Sequence, residues 1–170
     1  RTIFPLRTLL GDPDMRAQLS DLAQGLQSCF PDAPFVLTLP SPRRWVADAY
    51  RLAHGADSAP DVGEDEIDSA AVYMADFLRE FAEINIAGVL LEESEESMPQ
   101  AAEEIEWYQP VLNVAEHYRW DVGVRQVNGL VFAADSGGAD FVIAPKAAGG
   151  TVSVVSVDDQ FWEGASPPDL

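Results

Sequence analysis

The run Ile86-Ala87-Gly88-Val89-Leu90-Leu91 carries no polar side chain and stops at two carboxylates, Glu92 and Glu93. A strand with one wet face alternates apolar and polar residues. A run without alternation describes a strand covered on both faces, as in a parallel sheet packed by helices. Sheets of that kind place their chemistry at the C-terminal ends of the strands. The run therefore predicts an α/β fold and puts a candidate site at its acidic end.

The segments on either side alternate helix and strand. Asp12-Pro13 is a helix-start signal, and Met15, Leu19, Leu22, Ala23 and Leu26 follow at helical spacing until Pro31. Phe35 to Leu39 is a short β-rich run, and Ser41-Pro42 can cap and open a second helix through about His54-Gly55. Small and acidic residues from Ala56 to Gly63 read as a loop. A long helix is expected from about Glu64 to Asn85, with Ile67, Ala70, Ala71, Met74, Phe77, Leu78 and Phe81 as its core stripe. A further helix is expected from about Pro99 to Tyr118, broken or kinked near Gln109 by Pro110. Trp120 to Val127 predicts a third strand, Leu130 to Ala134 a short helix, Phe141 to Ala144 a fourth strand and Thr151 to Val157 a fifth. The gap between the last two is too short for a helical crossover, so they pair as a hairpin or close irregularly.

Strands separated by helices imply right-handed βαβ units and a parallel sheet. A closed eight-stranded βα barrel takes about 250 residues. With 170 residues and four to five mainly parallel strands, this chain predicts about half of such a barrel. It is expected to be a single domain, 1–170, with an irregular tail over 158–170. The chain does not open on Met, which fits a fragment or half-barrel.

Charge narrows the partners. The net charge is −19, and sixteen acids face one base, Arg79, between Asp57 and Glu106. Nucleic acid and anionic membranes would be repelled. The acidic segment reads either as a solubilising face or as a surface for a cation or basic partner. No apolar run reaches the 18–20 residues or so of a membrane span. A single cysteine, Cys29, rules out an internal disulfide, so a reducing cytoplasm is the expected location. Its helical position suggests a small buried residue rather than a nucleophile.

The order of segments resembles the uroporphyrinogen decarboxylase and cobalamin-independent methionine synthase superfamily. The resemblance spans roughly Phe35 to Ala144. It is carried by the strand and turn Phe35-Val36-Leu37-Thr38-Leu39-Pro40-Ser41-Pro42 and by the helix segment Ala75-Asp76-Phe77-Leu78-Arg79-Glu80-Phe81. A strand entered by Gly88 and left by Glu92 and Glu93 follows, then Tyr108-Gln109-Pro110, Asp121-Val122-Gly123-Val124-Arg125 and Gly138-Ala139-Asp140-Phe141-Val142. The resemblance implies a lyase of decarboxylase type or a methyltransferase-like protein acting on a small carboxylated molecule. The chain lacks the decarboxylases' N-terminal arginine signature. It also lacks the His and Cys zinc ligands of the methyltransferases. One Cys and two His (His54 and His117), all in helical contexts, do not make a thiolate zinc site, so no metal and no cofactor is expected.

In a parallel sheet the strand ends would gather Ser41, Arg43 and Arg44, then Glu92 and Glu93, Arg125 and Gln126, Lys146, and Asp158 and Asp159. Glu92 is the candidate general acid or base. Arg43, Arg44, Arg125 and Lys146 are candidates to hold a substrate carboxylate, with Trp45 lining the pocket. A mutual ion pair without catalysis satisfies Glu92 and Arg125 equally well. Glu93, Glu95 and Glu96 are expected to face solvent. His54 is expected to act on its helix C-terminus and His117 to be exposed. The alternative function is a catalytically inactive half-barrel that binds or assembles. An incomplete barrel exposes sheet edges, so self-association as a homodimer, or docking on a barrel-completing subunit, is expected. Phe161-Trp162 in the tail is a further apolar segment that seeks a partner.

Overall fold

In the computed structural model, residues 1–93, 105–126, 129–132, 142–144 and 153–155 are described. The helices start where local chemistry satisfies their free N–H groups. Asp12 accepts from the Met15 amide at 2.9 Å and Pro13 occupies the first turn, so α2 runs Pro13–Cys29. Ser41 accepts from the Arg44 amide at 3.2 Å and opens α3, Pro42–His54, which closes at Gly55 with φ 108°. That left-handed φ is one glycine adopts without strain. For α4, Glu64–Leu78, the Glu66 carboxylate accepts from the Gly63 amide at 3.1 Å. Three acids in its first turn complement the helix dipole.

A short helix before these, α1 (Phe4–Leu10), has no counterpart in the sequence reading; its Leu6 and Leu10 are buried one turn apart. The long helix ends earlier than its periodicity suggests, passing at Leu78 into a 3-10 turn over Arg79–Phe81. The break near Gln109 is present. A 3-10 turn, Ile105–Tyr108, meets α5, Gln109–Tyr118, with Pro110 inside the first turn of α5 where its missing N–H costs nothing.

Strands β1 (Phe35–Pro40), β2 (Ile86–Glu92) and β3 (Asp121–Gln126) form a parallel sheet in that spatial order. The chain is thus an α/β protein. β4, Gly129–Phe132, adds antiparallel to β3, where the sequence suggested a short helix from Leu130. β5 (Val142–Ala144) and β6 (Ser153–Val155) form a separate two-stranded sheet. They pair parallel, not as a hairpin. The expected irregular tail and Phe161-Trp162 lie outside the described residues.

Register sorts the side chains onto two faces. Leu37, Val89 and Val122 form one lateral row, and Leu39, Leu91 and Val124 the next. Both rows meet the helices, packing with Leu6, Val46, Ile67, Met74, Phe77, Leu78 and Val111. The intervening rows, Thr38–Leu90–Gly123 and Pro40–Glu92–Arg125, occupy the other face. Leu90 is buried there, so β2 is covered on both faces as its unbroken apolar run requires. β1 is an outer strand whose exposure alternates, with Val36 and Thr38 open to solvent.

Arg16 ties α2 to α4. It donates to Asp76 at 2.7 Å and Glu80 at 2.9 Å and lies over the Phe77 ring. Burial alone would lower its pKa; the bonds to Asp76 and Glu80 outweigh that, so the pKa is raised. Cys29, expected to be buried, is exposed at the end of α2, a helix with no buried residue.

The two faces of the sheet should differ in energetic weight. Leu91→Ala, at a fully buried position, should lower unfolding free energy by about 2–5 kcal/mol. Val36→Ala on the exposed row should stay within about 1 kcal/mol. Urea titration followed by circular dichroism measures both.

Candidate functional site

The C-terminal edge of the parallel strands is built tightly. The Ser41 amide donates to the Glu92 carbonyl at 2.9 Å and the Glu93 amide to the Arg125 carbonyl at 3.0 Å. Both ladders thus continue one residue beyond the strands. Ser41 is buried and its hydroxyl caps α3, so β1 turns directly into that helix.

Glu92, last residue of the central strand, sits in the row Pro40–Glu92–Arg125 on the face opposite the core helices. Its Oε1 accepts from Nη2 of Arg125, and its Oε2 from Nη1 of Arg44 at 3.5 Å. Arg44 also reaches Asp48 at 3.4 Å, and Arg51 reaches Asp48 at 3.7 Å. The five side chains alternate in sign, Arg51–Asp48–Arg44–Glu92–Arg125. Three cations against two carboxylates leave one positive charge over, in a chain of net charge −19. The Glu92 side chain is 23% exposed and that of Arg125 46%. Ion pairs so open to water contribute about 0–1 kcal/mol each. They orient the groups without locking them.

The remaining predicted residues are placed elsewhere. Arg43 donates to the Val62 carbonyl at 2.7 Å and ties the start of α3 to the loop before α4. Trp45 packs edge-on against Phe77, ring centres 5.9 Å apart, at the margin of the core. Lys146, Glu95 and Glu96 lie outside the described residues. His54 is the last residue of α3, its ring 4.2 Å from that of Tyr50. His117 is exposed on α5. Among the described residues no group of three His, Cys, Asp or Glu side chains is arranged to hold a metal ion. Nor is any helix among them long and apolar enough to cross a membrane.

Glu93 departs most from expectation. Read from sequence as a solvated loop acid, it is 6% exposed. Its Oε1 accepts from the Tyr108 hydroxyl at 2.7 Å, and its Oε2 has no hydrogen-bond partner among the described residues. The reason is the pleat. Val89, Leu91 and Glu93 are successive odd positions, so Glu93 follows two core side chains onto the helix side, where Tyr108 is fully buried. The alternation that separates Glu92 from Glu93 was available in the sequence; the hydroxyl that receives Glu93 comes from a distant segment and was not.

The arrangement therefore divides two adjacent carboxyls between two environments. Glu92 lies in a charged, partly exposed cluster. Glu93 lies in the interior, fixing the end of β2 against the turn before α5. Comparison with family models, with curated proteins and with solved structures returns no match for this chain.

Tyr108→Phe should cost about 1–3 kcal/mol of stability, because it removes a donor from a buried carboxyl. Glu92→Gln should change stability by less than about 1 kcal/mol, as expected of an exposed pair. Comparing the two variants in urea separates the interior acid from the rim acid.

Proposed function

We propose that the chain is a half-barrel of the uroporphyrinogen decarboxylase and cobalamin-independent methionine synthase type, binding a small carboxylated molecule at its C-terminal sheet edge without zinc. The observation that carries this reading is the convergence of Arg44 and Arg125 on Glu92 at the end of the central strand. In a barrel the face opposite the helices is the interior, so this row would open into the cavity. The three parallel strands in sequential order support the half-barrel.

In this reading a substrate carboxylate competes with Glu92 for the two guanidinium groups. Among the described residues Arg125 pairs with Glu92 alone, and its planar fork offers further N–H donors to a second carboxylate. Glu92, relieved of one partner, is then positioned beside the bound molecule to accept or return a proton as general base or acid. The reaction class would be lyase-like or methyl-transfer-like, as the sequence resemblance implies. Arg43 and Trp45 support the site from behind, through the Val62 carbonyl and Phe77.

A second reading has its own support. β1 is an outer strand with Val36 and Thr38 exposed, and outer strands invite pairing. The chain would then be a non-catalytic half-barrel, joined to a second copy or to a subunit that completes the barrel.

Calorimetric titration with succinate and citrate tests the first reading. Binding should weaken at least about tenfold, or 1.4 kcal/mol, in Arg125→Met and in Arg44→Met. Glu92→Gln should bind as well as the parent or better, because it removes the competing carboxylate. Equal binding by the parent and both arginine variants, or no binding by any, refutes the carboxylate site.

A further inference from the structure

The apolar stripe of α2 is covered along only part of its length. Met15, Leu19 and Ala23 pack against the core. Leu22, Leu26 and Phe30 continue the same stripe; at the helical step all six residues fall within about 100° of arc. Yet Leu22 is 59% exposed, Leu26 43% and Phe30 57%. The N-terminal half is anchored by Arg16 on Asp76 and Glu80. In the C-terminal half, the side-chain hydrogen bonds of Gln24 and Ser28 stay within the helix. The stripe thus overhangs the domain.

The overhang leads, after the turn at Pro31, into β1, the outer strand whose Val36 is also exposed. The segment is also poor in charge. Between Asp21 and Arg43 the single charged residue is Asp32, although the chain has 29 acids and a net charge of −19. Two copies of so acidic a protein repel wherever acidic surfaces meet. The end of α2 and the start of β1, consecutive through Pro31, offer a stretch where two copies would meet with little repulsion and with apolar area to bury.

We propose that the C-terminal half of α2, flanked by the edge of β1, is a two-fold self-association surface whose partner is a second copy of this chain. The proposal rests on the pairing reading above and assigns it a surface. A two-fold interface sets each patch against itself, so the α2 helices run antiparallel with Leu26 near the axis and Leu22 facing Phe30 of the other copy. Burying that stripe removes from water three of the large apolar side chains that are exposed, Leu22, Leu26 and Phe30. Cys29, exposed beside the stripe, falls on both copies about 9 Å apart along the axis. Antiparallel helices pack about 8–10 Å apart, so the two thiols come within reach of a flexible six-carbon bismaleimide.

Sedimentation equilibrium at micromolar concentration, with bismaleimide cross-linking through Cys29, tests the assignment. The expected result is a dimer that cross-links in the parent. Leu22→Glu and Leu26→Glu, at exposed positions that leave the far-ultraviolet spectrum unchanged, should each weaken it at least about tenfold and abolish the cross-link. Leu52→Glu, which adds the same charge at an exposed position on α3, should leave both intact. A parent that stays monomeric overturns the surface and, of the pairing reading, the half that joins a second copy. A dimer that both α2 variants leave intact overturns this surface alone.

Discussion

Everything in this fold is referred to the backbone ladder that β2 makes on both its sides. The strand pairs with β1 from Phe35 to Pro40 and with β3 from Asp121 to Arg125. An interior parallel strand has no free edge, so its side chains must be satisfied above and below the sheet. Val89 and Leu91 meet that demand against the helices, and Leu90 is buried on the opposite face. The helices are arranged by this requirement: α4 and α5 lie over the row that ends in Glu93, while α3 starts from the strand end beside it. The sheet sets the positions, and the helices supply the cover.

The same alternation gives two neighbouring acids different fates. A one-residue step along an extended chain reverses the direction of the side chain. Glu92 meets two arginines and partial solvent, whereas Glu93 meets a tyrosine hydroxyl and core. An interior carboxyl oxygen with no hydrogen-bond partner among the described residues is a cost that packing elsewhere must offset. Here it lies at the junction between the central strand and the segment leading to α5, close in sequence to the candidate site but on the other side of the sheet.

The sequence reading succeeded where local chemistry and periodicity agreed. Asp12-Pro13 and Ser41-Pro42 start helices at those residues, and the unbroken run at Ile86 is the central parallel strand. It failed where a short segment takes its identity from a neighbour. Leu130 and the residues after it fit a helix or a strand equally well in isolation, and pairing with β3 decides for the strand. At seven residues, α1 is too short for its period to stand out, and only Leu6 and Leu10 reveal its inner face. Of the candidate site, the residue types and their strand-end position were legible. Which acid faces which side follows from the pleat, but the burial of Glu93 depends on Tyr108, fifteen positions away. Exposure at Cys29 depends on what packs against the end of α2, which no local pattern encodes.

Ser41 has a consequence for motion. Its amide completes the β1–β2 ladder while its hydroxyl caps α3, so strand and helix share one joint with no loop between them. Arg44, Asp48 and Arg51 are carried on that helix. Loop residues move independently on nanosecond timescales, but groups borne on a docked helix move with it, in the slower collective regime of microseconds to milliseconds. The charged row at the strand ends is therefore preset in its spacing. Its adjustment to any bound molecule would come from the side chains of Glu92 and Arg125 on the strands, against the fixed base that α3 gives Arg44.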